Sequence, residues 1–401
     1  MRSFAVGHGS HPDWRMALSM ATAQLQPQLA GAAEPTLGFV YFTDHYAAQA
    51  DALLAALRER WRGASWAGCV GLGVLASGVE YLDEPALVLL LCALPRQQFR
   101  VFSGARPLAG FEAFSALVHA DPGTPELGEL LLEMSGRTAS HYLFGGLAAS
   151  RNGVRHVADG VWQGGLSGVA FAQDVPLLSR VTQGCQPIGP VRRISAAEHN
   201  RVLALDGEPA LRCLLRDLHA TLDEPRRLLP RLRATLAGLS DANEPMLGRG
   251  AAFGTDTRVR HLLGIDPAHE AVALADTVQP GMRLAFCSRD VQAARRDLVR
   301  ICSEIRDELE PQPQDLGSPV GAMQPAPVAP LPAPAAQRIA GAIYVSCCGR
   351  GGPHFGAPSA EAQIVRQALG DVPWAGFFAG GEIARHHLYG YTGVLTVFTA
   401  Q

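Results

Sequence analysis

Apolar residues in this chain gather in short blocks that alternate between two periods. Residues 36–42 (TLGFVYF) form one unbroken block of strand length. A Thr43-Asp44-His45-Tyr46 turn follows, and then Ala50, Leu53, Leu54, Leu57 and Trp61 recur at helical spacing. The chain passes through the glycine-rich segment 65–74 (SWAGCVGLGV) into a second apolar block at 86–94. The predicted order is strand, helix, short glycine-rich strand, strand.

The last sixty residues repeat this order. Residues 341–347 (GAIYVSC) predict a strand, and 359–369 a helix with Ile364, Val365, Ala368 and Leu369 on one face. Residues 373–383 (PWAGFFAGGEI) match the glycine-rich segment, and 391–399 predict the closing strand. Both units carry Trp-Ala-Gly, at 66–68 and 374–376, and the second has a glycine-rich insertion at 349–356. We read them as a degenerate internal duplication and expect them to pack into one composite core.

Between the two units, 141–144 reads as a strand opening into Gly145-Gly146, and 166–171 as another. A helix entered through Pro209 turns Leu211, Leu214, Leu215 and Leu218 inward. Asp290 is placed to cap a long helix with the stripe Val291, Ala294, Leu298, Ile301, Ile305 and Leu309. Residues 311–335 are dominated by proline and alanine and read as a polyproline-leaning connector. The predicted fold class is α/β, a two-lobed mixed α/β architecture divided as 1–198 and 199–401. The duplicated strand-helix-strand units lie at its two ends.

Composition narrows the chemistry. The chain has 401 residues, 48% of them hydrophobic, and all 34 basic residues are arginine. The lack of lysine excludes a Walker lysine, a pyridoxal Schiff base and a lysine general base. A net charge of −3 without a basic run gives no footprint for nucleic acid or an anionic membrane. The 86–94 block is about half the length of a membrane-spanning helix, and the first residues lack a signal-peptide core. A cytoplasmic protein is expected, with no membrane or nucleic-acid partner. The eight cysteines form no metal-type CxxC pair and read as reduced thiols. The thirteen histidines, the His386-His387 pair included, show no metal spacing, so neither a metal nor a cofactor is predicted.

The most informative stretch is 346–356 (SCCGRGGPHFG), which follows a buried strand and precedes a helix, where open α/β sheets place ligands. Arg350 there could clamp a carboxylate, and Gly381-Glu382 closes the matching turn of the same unit. We therefore expect a cavity lined by Cys347, Arg350, His354, Trp374, Gly381 and Glu382, suited to a zwitterion such as an amino acid. The other reading of these charges is a direct Arg350–Glu382 ion pair that ties two loops. A further alternative makes Cys347 a nucleophile with His354 as its base, in a hydrolase or transferase.

One set of motifs points to a family. Gly184-Cys185-Gln186-Pro187-Ile188-Gly189-Pro190 with Asn200, Leu205-Asp206-Gly207-Glu208-Pro209-Ala210, Val259-Arg260 with Gly264-Ile265-Asp266-Pro267, the 346–350 strand end, and 376–382 with Tyr389-Gly390-Tyr391-Thr392-Gly393 occur in this order. Together they resemble the FIST sensory family in its FIST-N plus FIST-C arrangement, over about residues 35–398. The resemblance implies a non-enzymatic sensory module that binds a small ligand, such as an amino acid. It also implies a separate signalling partner, such as a histidine kinase or a cyclic-dinucleotide enzyme. One branch of the family resembles haem-carrying nitric-oxide sensors, which makes a haem-binding sensor the alternative.

Overall fold

The structure, a computed structural model, describes residues 4–242, 246, 253, 257–310 and 339–400. The predicted 311–335 connector lies outside the described residues. Both end units form as expected. The first runs through the strand Leu37–Thr43, the helix Ala50–Arg60 and the strands Ser65–Gly71 and Ala86–Cys92. The second runs through Ile339–Cys347, the helix Ala360–Leu369, Trp374–Ala379 and Thr392–Thr399. In each, the first strand pairs parallel with the second across the helical crossover, and antiparallel with the closing strand. Even the register agrees, because Val40 faces Gly68 and Tyr344 faces Gly376.

A third copy lies between them. The strand Ala113–Ala120, the helix Leu127–Gly136, and the strands Thr138–Leu147 and Leu166–Phe171 have the same order and directions, with Val118 facing Gly145. Each glycine sits against its partner's backbone. A Cβ would fall 1.8 Å from the Val40 carbonyl oxygen at Gly68, 2.0 Å from that of Val118 at Gly145, and 1.7 Å from that of Tyr344 at Gly376. The three parallel pairs therefore share one tight approach that only glycine permits.

The units then exchange strands in a ring. The first lends the hairpin Gly73–Ala76 and Val79–Leu82 to the sheet of the last, beside Trp374–Ala379. The last lends Glu382–Arg385 and His387–Tyr389 to the middle sheet, beside Thr138–Leu147. The middle lends His156–Ala158 and Val161–Trp162 to the first sheet, beside Ser65–Gly71. A leading strand completes each six-stranded sheet: Phe4–Ser10, Phe99–Ser103 and Leu177–Gln183.

The expected composite core is present. Phe39 and Tyr41 of the first unit are buried in one cluster with Val345, Phe377 and Phe398 of the last, and the Tyr41 and Phe377 rings stack at 5.0 Å. A second cluster lies under the helices Val291–Leu309 and Ala360–Leu369, which bury Ile301, Ile305, Val365 and Leu369. The Asp290 carboxylate caps the longer helix by accepting from Ala293 N, as predicted.

Residues 185–290 leave this body as an insertion. Arg192–Glu198, Arg201–Leu205, Ala271–Leu274, Arg258–Asp266, Thr235–Ser240 and Arg283–Arg289 pair antiparallel in sequence around a closed ring. The helix Ala210–Asp217 lends Leu211 and Leu214 to the barrel's core, as its spacing predicts. Arg192 forks onto Asp217 at 2.6 and 2.7 Å and ties helix to barrel. The sheets do not part at 198/199: the strand Leu177–Gln183 pairs with Thr392–Thr399, and the 73–82 hairpin sits in the last unit's sheet. Among the described residues, no helix is long and apolar enough to cross a membrane.

The glycine contacts set a stability test. Gly376→Ala drives a methyl into the Tyr344 carbonyl and should cost at least the 1–3 kcal/mol (roughly) of an overpacked core. Gly128→Ala, where the added Cβ meets nothing within 4 Å in a helix, should leave stability unchanged or raise it by up to ~1 kcal/mol. Urea midpoints of the two variants read the contrast; equal midpoints would contradict the close approach.

Candidate functional site

The end of the Ile339–Cys347 strand is a tight turn in which Arg350 N and Gly351 N both donate to the Cys347 carbonyl, at 2.9 and 3.0 Å. The turn sends the Arg350 side chain inward, where it is fully enclosed. Its Nε donates to Glu361 Oε1 at 3.1 Å, Nη1 to the Thr182 carbonyl at 3.2 Å and Nη2 to Thr182 Oγ1 at 3.1 Å. Glu361, in the first turn of the Ala360–Leu369 helix, also accepts from Tyr344 Oη at 2.5 Å and from Ser346 Oγ at 2.9 Å. Glu80 packs nearby and accepts from Ala362 N at 2.9 Å. Burial, and to a smaller extent Glu361, push the Glu80 carboxyl up to about 7 against that hydrogen bond.

This corrects two expectations. Arg350 is fully enclosed and lines neither of the cavities described below, and its ionic partner among the described residues is Glu361, not Glu382. The physical reason is desolvation: a wholly buried guanidinium persists only with a carboxylate and carbonyl acceptors, and Glu361 and Thr182 supply them.

The other predicted residues divide. Trp374 starts its strand opposite Ala342, whereas Cys347 lies opposite Ala379, so roughly 17 Å of strand separates them at ~3.3 Å per residue. The indole packs edge-on against Tyr344 inside the core. Cys347 and Glu382 do come together. Glu382 is wholly buried; its Oε2 accepts from Thr392 N at 3.2 Å and from Thr392 Oγ1 at 2.7 Å. Burial, reinforced by Cys347, holds this carboxyl well above its usual range. Gly381, next to Glu382, accepts from Leu147 N at 2.8 Å and closes the loop onto the middle sheet. His354 sits half-buried in a short turn against Phe355, and burial, then Arg289 and Arg350, lower its basicity. That environment does not make it a strong base for Cys347, whose own thiol is pushed up by the neighbouring Cys348 and by burial.

Sequence reasoning missed the side chains that face this point from the barrel. Arg289 donates to the Gly349 carbonyl at 3.1 Å and lies over the Tyr391 ring, and Tyr391 Oη meets His261 Nε2 at 2.6 Å. It also missed a cavity of about 350 Å³ between the strand Leu177–Gln183, the helix Val291–Leu309 and the lent hairpin. Arg180, Arg300, Arg385, Glu304, Tyr142 and Tyr389 line it. Glu304 is shared by Arg300 at 2.5 Å and Arg180 at 3.5 Å, and Arg300 also meets Asp297 at 2.7 Å. The i,i+4 spacing of Arg300 and Glu304 was the available signal, but alone it describes any solvated helix face. A second, more apolar cavity of about 250 Å³ includes Phe102, Leu108, Leu130 and Met134. Neither cavity is lined by a histidine.

Family models match almost end to end: the FIST N domain over 36–208 and the FIST C domain over 210–385. The chain belongs to the FIST family. FIST domains are associated with sensory signal transduction, a sensory and not an enzymatic role. This FIST chain is also 28% identical over 425 aligned positions to the uncharacterized protein Rv0628c of Mycobacterium tuberculosis, covering 98% of each. It is 28% identical over 413 positions to the uncharacterized protein Mb0898c of Mycobacterium bovis, again covering 98% of each. The boundary between the two FIST domains falls at 208–210, inside the barrel insertion.

Removing Arg350 should therefore unfold this FIST protein more readily. Arg350→Ala leaves Glu361 buried without its cation, at a cost of about 3–5 kcal/mol. Chemical denaturation measures it; an unchanged midpoint would contradict the buried pair.

Proposed function

We propose that this FIST protein is a non-enzymatic cytoplasmic sensory module. It binds a small zwitterionic metabolite of the amino-acid class in the arginine-lined cavity and signals through a separate protein. The observation that carries this reading is the gathering of Arg180, Arg300 and Arg385 with Glu304 around about 350 Å³. Guanidinium groups take a carboxylate by paired hydrogen bonds, and a carboxylate among them takes an ammonium group. The volume lies within the usual range for small-molecule sites, roughly 300–1,000 Å³.

The cavity's walls support a sensory use. One wall is the leading strand of the last unit, another is the helix that re-enters the body from the barrel, and the third is the hairpin lent to the middle sheet. A ligand that bridges them draws together elements of two sheets and a helix. Arg260 of the barrel also donates to the Leu388 carbonyl of that hairpin at 2.9 Å. A shift of the hairpin would thus reach the barrel surface, where a partner can read it.

A thermal-shift panel of amino acids and simple dicarboxylates tests the proposal. A ligand at about a hundred times its Kd should stabilise the protein by about 2.7 kcal/mol. Arg180→Ala or Arg385→Ala should weaken that ligand about tenfold, after allowance for the exposure of these side chains. Glu304→Gln should weaken amino acids and spare dicarboxylates. Stabilisation that none of these variants changes would place the ligand elsewhere.

A further inference from the structure

The strand end that the arginine cavity does not use carries two consecutive thiols of opposite exposure. Cys347 is buried, and Cys348, the next residue, is exposed. Cys347 ends the Ile339–Cys347 strand and Cys348 opens the turn that follows, so the two thiols share one strand end. The backbone holds them in place: Cys348 N donates to the Ala379 carbonyl at 2.9 Å, and the Cys347 carbonyl takes the two donors of the turn. The neighbouring Cys347 lowers the Cys348 thiol below its ordinary range, against smaller opposing effects of burial and of Glu382. Cysteines 69, 92 and 302 are buried in apolar surroundings that push their thiols up.

A buried carboxyl group also stands beside the two thiols. Glu382 is wholly buried, and its Oε1 has no hydrogen-bond partner among the described residues, although Oε2 has two. Its carboxyl is electrostatically coupled to both thiols. A closed core rarely leaves such an atom unmatched without a functional reason.

We propose that Cys347 and Cys348 form a dithiol site that hydroperoxides oxidise to a vicinal disulfide, with Cys348 attacking and Cys347 resolving. This inference is independent of the arginine cavity. The Cys348 thiolate attacks the terminal peroxide oxygen; the O–O bond breaks, and the departing alkoxide takes a proton to leave as alcohol. The resulting sulfenic acid is attacked by Cys347 sulfur. The S–S bond forms, the S–O bond breaks, and the Cys347 proton leaves with the hydroxide as water. The two thiols lose two electrons and the peroxide gains them. Adjacent residues have Cα atoms ~3.8 Å apart across a trans peptide, shorter than the usual disulfide range of roughly 4.4–6.8 Å. The disulfide is therefore strained and easily reduced, as a reversible site requires. Ring closure must rotate the 347–349 backbone. Gly349, whose carbonyl holds Arg289 and whose Cα lies under Tyr391, then moves at the seam with the barrel.

The test uses the full chain, reduced with dithiothreitol, freed of it, and titrated with hydrogen peroxide. Trypsin releases residues 339–350 with Cys347 and Cys348 as the peptide's two cysteines. Expected is a peptide lighter by two hydrogens that alkylates only after reduction, and appears at lower peroxide doses than oxidation of any other cysteine. C348S should abolish that product, and C347S should leave a sulfenic acid on Cys348 that dimedone traps. Wild-type peptide mapping alone is decisive if a variant misfolds. A 339–350 peptide that stays reduced while other cysteines oxidise would overturn the proposal. So would direct passage of Cys348 to sulfinic acid, or a disulfide from Cys348 to Cys185.

Discussion

The buried Arg350–Glu361 pair is the interaction on which the arrangement of this chain depends. A barrel of about a hundred residues interrupts the last unit between its leading strand and its first helix, so the chain must leave and re-enter the body at adjacent points. Arg350 bonds Thr182, two residues before Gly184, and reaches the carbonyl of Ala294 at 3.5 Å, just after the chain returns. Asp297 adds a second tie by accepting from Gln183 N at 2.6 Å. A charge enclosed this completely gains less from attraction than its removal costs, and its geometry is correspondingly well specified. The residue that looked most like a ligand clamp is consumed in closing the insertion.

The ring of exchanged hairpins explains why the ligand-sized cavity lies where it does. Each sheet is finished by a hairpin of another unit, so no unit can shift without moving a neighbour's edge. The seam between the last and middle sheets is crossed by the Glu382–Arg385 strand and flanked by the helix that follows the barrel. Three arginines and a glutamate gather there because strand edges and a helix flank, unlike the sheet interiors, keep charged side chains in reach of water. The Cys347-Cys348 turn lies on the same strand system, facing the barrel. The arginine cavity and the thiol pair thus flank elements through which the chain joins barrel to body.

Much of the fold was legible in the amino-acid order. Apolar blocks at 36–42 and 341–347, helical spacing from Ala50 and from Ser359, and the shared Trp-Ala-Gly revealed two units, because those residues fill equivalent core positions. The middle copy escaped notice because it keeps only the glycine: Leu143-Phe144 stand where the others have Trp-Ala. The hairpin exchange is long-range, and no local period records which sheet receives an edge strand. At the site, the position of Cys347 beside Glu382 followed from the strand-turn order. The partner of Arg350 did not, because Glu361 lies on a helix whose first turn could equally have faced solvent. The arginine cavity is assembled from residues 142 to 389, and only the fold brings them together.

The central claim is that a small charged metabolite belongs in the arginine cavity while the Arg350 cluster is closed structure. Hydrogen–deuterium exchange of the full chain, with and without saturating glutamate and then succinate, addresses it most directly. The account predicts slowed exchange confined to the strand 177–183, the helix 291–309 and the hairpin 382–389, with the 347–355 turn unchanged. Slowing at 347–355 with no change around Arg180 and Arg300 would contradict it.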